Sequence, residues 1–222
     1  IVTVGTSTCS FAITVIANTP LPGDYFPLTA NSWWSYDDAD GLFVSGDSLT
    51  RVNVNTASYM GNTFRLFQNQ NETTPQDSSY YRKVGANYME LNIADAYTAV
   101  ISFDAPVIGE INFLRDGLTT NQTWESAEFS GTQSGIALKI KYVYKCLDAN
   151  GTFAVNGHTF TNVYKISWKP QFKAGAAPAY QDEFFSFDSY YAKGVGLIYM
   201  KVTDLSGAFP PAAINIKNWK VF

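Results

Sequence analysis

Leu138-Lys139-Ile140-Lys141-Tyr142-Val143-Tyr144-Lys145 decides the fold class of this 222-residue chain. Leu138, Ile140, Tyr142 and Tyr144 alternate with Lys139, Lys141 and Lys145. Successive side chains of a strand point to opposite faces, so this pattern reads as antiparallel sheet with one solvated side. The alternation recurs in Phe11 to Ile16, Leu49 to Val54, Thr63 to Phe67 and Ile214 to Val221. Between such runs stand Asp40-Gly41, Ser45-Gly46-Asp47, Met60-Gly61-Asn62, Asp116-Gly117, Ser130-Gly131, Asn150-Gly151 and Asn156-Gly157. These residues tolerate positive φ, and Asn150-Gly151 and Asn156-Gly157 are the strongest hairpin signals. No 3.6-residue pattern is sustained; Asn92 to Val100 has room for one helical turn. Lys169-Pro170 to Pro178-Ala179 reads as an exposed loop.

Three landmarks occur twice in the same order. Asp24 to Trp34 resembles Asn112 to Trp124; Gly61-Asn62-Thr63-Phe64-Arg65-Leu66 resembles Thr161-Asn162-Val163-Tyr164-Lys165-Ile166; Tyr80 to Leu91 resembles Tyr190 to Val202. Ordered self-similarity points to duplication. Each half reads as a meander of about five strands that cannot bury its apolar face alone. The expectation is a single all-β antiparallel domain over 1–222. Its repeats span about 20–104 and 108–204, with a break around Asp104 to Gly109, an N-terminal strand 9–17 and a C-terminal strand 212–222. Two such meanders form a curved, partly open barrel; a two-sheet β-sandwich is the alternative.

Asp24-Tyr25-Phe26-Pro27-Leu28 with Ser32-Trp33-Trp34-Ser35-Tyr36, Asn156 to Ile166, and Tyr190-Tyr191-Ala192-Lys193-Gly194-Val195-Gly196-Leu197 resemble segments of uncharacterised secreted proteins and lipoproteins of Bacteroidetes-type bacteria. The match covers about two blocks per half and carries no established activity. It implies export to the cell envelope, often through a lipid on a cysteine near the start of the mature chain. Thr6-Ser7-Thr8 before Cys9 departs from the usual small-apolar lipobox, so the anchor cysteine is expected upstream of Ile1.

Composition narrows the partners. The formal net charge is -4, and no Lys/Arg cluster exists beyond pairs such as Lys139 with Lys141 or Lys217 with Lys220. Nucleic acid needs a cationic stripe, so it is not expected as a partner. No apolar run reaches the 18 residues of a transmembrane helix. The start at Ile1 lacks the basic and apolar regions of a signal peptide, which reads as a mature chain. Cys9 and Cys146 either pair, closing a loop worth about 4–5 kcal/mol, or stand as separate buried thiols. They are too few for a metal site, and no cofactor is expected.

Catalytic constellations are sparse. His158 is the single histidine, beside a hairpin turn, and no serine elbow accompanies it. Glu125, Glu128, Asp182 and Glu183 are the carboxylates available for glycoside hydrolysis; strand pleating places Glu125 and Glu128 on opposite faces. Asp37-Asp38-Ala39-Asp40-Gly41 has oxygen ligands, but the twelfth position of a calcium loop counted from Asp37 is Ser48. Asn71-Glu72-Thr73, Asn121-Gln122-Thr123 and Asn150-Gly151-Thr152 have the form of glycosylation sequons and read as loop composition.

Aromatic residues make up 16% of the chain, which leaves rings as the richest recognition chemistry. Trp33, Trp34, Tyr36, Trp124, Trp168, Tyr81 and Tyr191 are the candidate ligand-binding residues. Adjacent rings on a strand face opposite ways, so one of Trp33 and Trp34 points to the core. Inward rings either fill a thick core or line an apolar cavity; outward rings form cross-strand pairs or a sugar platform. The expected function is a non-enzymatic, secreted or cell-envelope protein binding a glycan or lipid-like ligand on the concave face. A structural or adhesive module for another envelope protein is the first alternative, and a glycoside hydrolase the second.

Overall fold

The computed structural model describes residues 23–38, 46–71 and 77–222. Every regular element among them is a strand. The first six are β1 (Trp33–Asp38), β2 (Gly46–Tyr59), β3 (Asn62–Asn71), β4 (Asp77–Val84), β5 (Asn87–Ile93) and β6 (Ile108–Arg115). Eight more follow: β7 (Thr123–Glu125), β8 (Phe129–Gln133), β9 (Ile136–Val155), β10 (His158–Ala174), β11 (Gln181–Asp182), β12 (Phe185–Ala192), β13 (Gly196–Asp204) and β14 (Ala212–Lys220). The expected strand at 9–17, Cys9 and the Asp40-Gly41 turn lie outside the described residues.

All strands join one antiparallel sheet, in the order β6-β5-β4-β3-β2-β1-β14-β13-β12-β10-β9-β7, with β8 on β9 and β11 on β10. From β1 to β6 and from β12 to β14 neighbours in the chain are neighbours in the sheet, and β14 returns to pair with β1. The result is a nearly closed barrel, not a sandwich of two sheets. Its seam lies between β6 and β7, joined in the chain by a short turn but not by a ladder. Side chains and a backbone hydrogen bond span the seam instead. The Trp124 indole donates to the Asn112 carbonyl at 3.0 Å. The Phe129 ring lies so near Gly109 that a Cβ there would come within 2.5 Å of it. The Asp104 amide donates to the Thr132 carbonyl at 2.7 Å, and the Phe103 ring covers Gly131.

The three sequence matches fall on β1 and β7, β3 and β10, and β4 and β12. Local geometry recurs there. Asn31 (φ 69°) and Asn121 (φ 70°) each stand three residues before a buried Trp. The Asn31 amide donates to Val52 O and Val52 N to Ser32 O, both at 2.8 Å. Asn121 donates to Cys146 O at 2.7 Å and Cys146 N to Gln122 O at 2.8 Å. Met60-Gly61 and Asn156-Gly157 close the β2–β3 and β9–β10 hairpins with positive φ at both positions, the twist that two-residue hairpins require.

Several local expectations are corrected. Asn150-Gly151 is no turn; it lies inside β9, where the β9–β10 register shifts around Val163. The pair serves a bulge, and a bulge calls for the same residues as a turn. Ser130-Gly131 lies inside β8, the turn following at Ser134-Gly135. Lys169 to Ala174 is strand, paired with β9 as far as Leu138. Pro170 is accommodated where β10 passes from β12 to β11, so its missing N–H breaks no ladder. Asn92 to Val100 forms no helix: Ala96 N bonds Ile93 O and Thr98 N bonds Asp95 O, two three-residue turns.

The buried side chains fall into two groups. One surrounds Tyr88, Leu114, Ile140 and Tyr142; the other surrounds Trp34, Phe67, Ile198 and Ile216. Phe26, on the segment entering β1, packs against both.

Candidate ligand cavity inside the barrel

Register builds the site. Trp34 stands opposite Thr50, Thr50 opposite Asn69 and Asn69 opposite Asp77, a row crossing β1, β2, β3 and β4. Tyr36 stands opposite Ser48 on the same face. The row borders a cavity of about 370 Å³, whose other walls are Phe26, Phe67, Tyr81, Leu197, Met200 and Ile214. That volume lies at the low end of the ~300–1,000 Å³ typical of small-molecule sites.

The rings are held by their polar tips. The Trp34 indole donates to Val195 O at 2.6 Å, and the Tyr36 hydroxyl to Leu197 O at 3.1 Å. Gly196, against which the Trp34 indole packs, holds a positive φ of 107° that a side chain would strain. Trp34 and Phe67 are parallel with centroids 6.0 Å apart; Phe67 meets Tyr81 edge-on at 4.8 Å. Burial pushes the Tyr36 and Tyr81 hydroxyls well above the usual phenol range, so both rings stay neutral. On the polar side, Thr50 Oγ1 donates to Asn69 Oδ1 and Asn69 Nδ2 to Ser79 Oγ, each at 2.9 Å.

Behind Tyr81 lies a buried carboxylate, Glu90. Its Oε1 accepts from Tyr97 OH at 2.7 Å, Asn92 Nδ2 at 3.0 Å and Tyr81 OH at 3.5 Å. Burial raises its pKa, while the three donors pull the other way. A carboxyl with a raised folded-state pKa binds its proton more tightly when folded. Its contribution to stability is complete below the unfolded value, about 4.3 for glutamate, and is lost as pH rises through the folded value. Wild-type urea midpoints should fall across that window, and Glu90→Gln should flatten the fall. Equal slopes for the two proteins in a pH series of unfolding curves would refute this.

The seven candidate aromatics divide. Trp34, Tyr36 and Tyr81 line the cavity. Tyr191 lies beside it, its ring 6.4 Å from Phe26. Trp124 and Trp168 belong to a separate row, Trp124–Tyr144–Trp168–Phe187, with successive centroids 5.1, 5.9 and 3.9 Å apart. They also border a broad groove of about 740 Å³. Trp33, between Arg51 and Lys220 in register, is only half-buried, whereas Trp34 is 3% exposed. Phe26 and Phe67 were missed as lining residues. Phe26 stands inside the quoted Asp24 to Leu28 block, so its signal was present; Phe67 was visible only as an alternating strand residue.

The other chemistry-bearing groups are engaged. Glu125 pairs with Lys141 at 2.8 Å and Glu128 with Lys139 at 2.6 Å. Lys139 and Lys141 are two apart on β9, so both acids reach one face, contrary to expectation. The reason is that β7 ends at Glu125, and strand pleating no longer governs Glu128. Asp182 pairs with Lys169. Glu183 is buried and accepts from the amides of Ala99 at 2.8 Å, Val100 at 3.0 Å and Phe185 at 3.3 Å. His158 Nε2 lies 3.3 Å from Lys217 O. Cys146 is buried, which with nearby Asp148 pushes its thiol up to about 11. Among the described residues no group of three or more His, Cys, Asp or Glu is placed to hold a metal, and no helix is long and apolar enough to cross a membrane.

No protein-family model matches the chain, and no curated protein matches it. A solved structure from Parabacteroides distasonis, named a "putative lipoprotein", is similar at a TM-score of 0.53 and 10% identity. The alignment covers 90% of this chain and 99% of that one. At that identity the likeness is one of fold.

Proposed function

We propose that this chain is a non-enzymatic protein of the cell envelope that holds an amphipathic, lipid-like ligand inside its barrel. The observation that carries the reading is the cavity of about 370 Å³ walled by Trp34, Tyr36, Phe67, Tyr81, Leu197 and Met200. Neutral rings and aliphatic side chains on one wall, with a hydroxyl and amide row on the other, suit a ligand with an apolar body and a polar end. A sugar platform would need outward rings, and Trp34 and Tyr36 are buried. Placement in the envelope draws on the sequence resemblance and on the name of the structural neighbour.

The test is native mass spectrometry of the protein from its own host, together with titration of the neutral fluorescent probe N-phenyl-1-naphthylamine. A co-purified small-molecule adduct and saturable probe binding are expected. Met200→Trp, which places an indole in the cavity, should weaken the probe at least about tenfold, some 1.4 kcal/mol. An adduct-free mass with probe binding unchanged in Met200→Trp would overturn the reading.

A further inference from the structure

Resting on that reading, we infer that the polar end of the ligand is cationic, an amine on a single-chain amphiphile, and that Asp77 receives it. Asp77 closes the polar row at the start of β4 and is the one charged group among the described residues lining the cavity. It also borders a second cavity of about 480 Å³, which holds Glu90, Ser78, Ser79 and Asn92. Neither lining contains Lys, Arg or His among the described residues. Asp77 is exposed, so its carboxylate stands where a head group meets water, while the rings lie deeper.

Charge decides among head groups. A carboxylate or phosphate would be placed against Asp77 with no cation among the described lining residues, and like charges repel. A hydroxyl could donate to Asp77 but brings no charge of its own, so it gains a hydrogen bond without the attraction of opposite charges. An ammonium gains a charge-assisted bond, roughly twice as strong as a neutral one. The Ser78 amide donates to Asp77 Oδ1 at 2.7 Å, which fixes the side chain. A carboxylate has about four lone-pair sites, so this leaves it acceptor capacity. The volume of about 370 Å³ limits the body to a single chain.

Dodecylamine, dodecanol and dodecanoate, below their micellar concentrations and at one ionic strength, separate the alternatives by displacement of N-phenyl-1-naphthylamine. Dodecylammonium should bind at least about tenfold more tightly than dodecanol, and dodecanoate least. Asp77→Asn should bring the amine down to the level of dodecanol and change dodecanol far less; Asp77→Glu should keep the preference. Asp47→Asn, which removes an acid paired with Lys217 elsewhere on the surface, should change nothing. Dodecanol or dodecanoate matching the amine, or Asp47→Asn acting as strongly as Asp77→Asn, would overturn the head-group assignment and leave the cavity reading standing. Failure of all three probes to bind would overturn the cavity reading itself.

Discussion

Phe26→Ala is expected to lower the stability of the chain by about 3 kcal/mol, the low end for removing a phenyl ring, because Phe26 is half-buried and borders the cavity. In a domain of this size that lowers the melting temperature by roughly 10 °C. Phe26 meets Phe67 at 5.4 Å, Tyr81 at 4.9 Å, Phe113 at 5.0 Å, Tyr88 at 6.3 Å and Tyr191 at 6.4 Å. These rings come from β3, β4, β5, β6 and β12, so one side chain ties together both halves of the sheet. Its own segment is anchored by the two residues before it. The Tyr25 ring stacks on Tyr164 at 3.6 Å, and Asp24 with Asp116 clamps Lys83 at 2.5 and 2.7 Å. The space left by Ala therefore joins the cavity, framed by neighbours that are held in place. Thermal unfolding followed by near-ultraviolet circular dichroism reads the effect, with Phe26→Leu as the milder control. A loss below about 1 kcal/mol, typical of an ordinary substitution, would show that the two buried groups hold together without this ring.

Glu183→Ala is expected to cost about 3 kcal/mol. Hydrogen bonds to a charged acceptor contribute about 1.5–3 kcal/mol each, and the two at 2.8 and 3.0 Å are the well-placed ones. These bonds hold the segment between β5 and β6. Its far end is held by Asp104, whose carboxylate accepts from Thr132 Oγ1 at 2.7 Å, Ser134 N at 2.7 Å and Gly135 N at 3.0 Å. Those donors keep the Asp104 carboxyl below the usual aspartate range. Releasing Glu183 frees the near end while Asp104 keeps the rest in place, so the damage is local. Hydrogen exchange at Ala99 and Val100 should accelerate strongly in Glu183→Ala and less in Glu183→Gln, which retains one acceptor oxygen. Wild-type exchange rates at these amides in the Ala variant would refute the assignment.

The strands were legible wherever one face is wet. β9 was read from Leu138 to Lys145 because lysines mark its solvent side, and Leu138, Ile140, Tyr142 and Tyr144 are all buried. The division of Trp33 from Trp34 followed from pleating alone. What stayed hidden depends on partners far away in the chain. Asn150-Gly151 carries the same residues in a bulge as in a turn, and only pairing with Val163 distinguishes them. Pro170 signals an interruption, but whether a proline costs a hydrogen bond depends on the neighbouring strand. The cavity was half visible: Trp34, Tyr36 and Tyr81 were singled out as rings. Thr50, Asn69 and Asp77 are ordinary polar residues until register sets them in one row. Trp124 and Trp168 carry the same chemistry as Trp34 but stack into a filled row, and sequence holds no sign of that difference.

Closing the barrel between β1 and β14 has a kinetic consequence. Trp33 faces Lys220, almost the full span of the described residues, while β6 and β7, joined by a few residues, never zip. Ring closure by the most distant segments carries the largest entropic toll, so the two meanders must gather before it occurs. Assembly is thus slow by design of the connectivity. The two half-formed ribbons expose raw edges until their outer strands meet, and in that interval they are open to pairing with a neighbouring molecule.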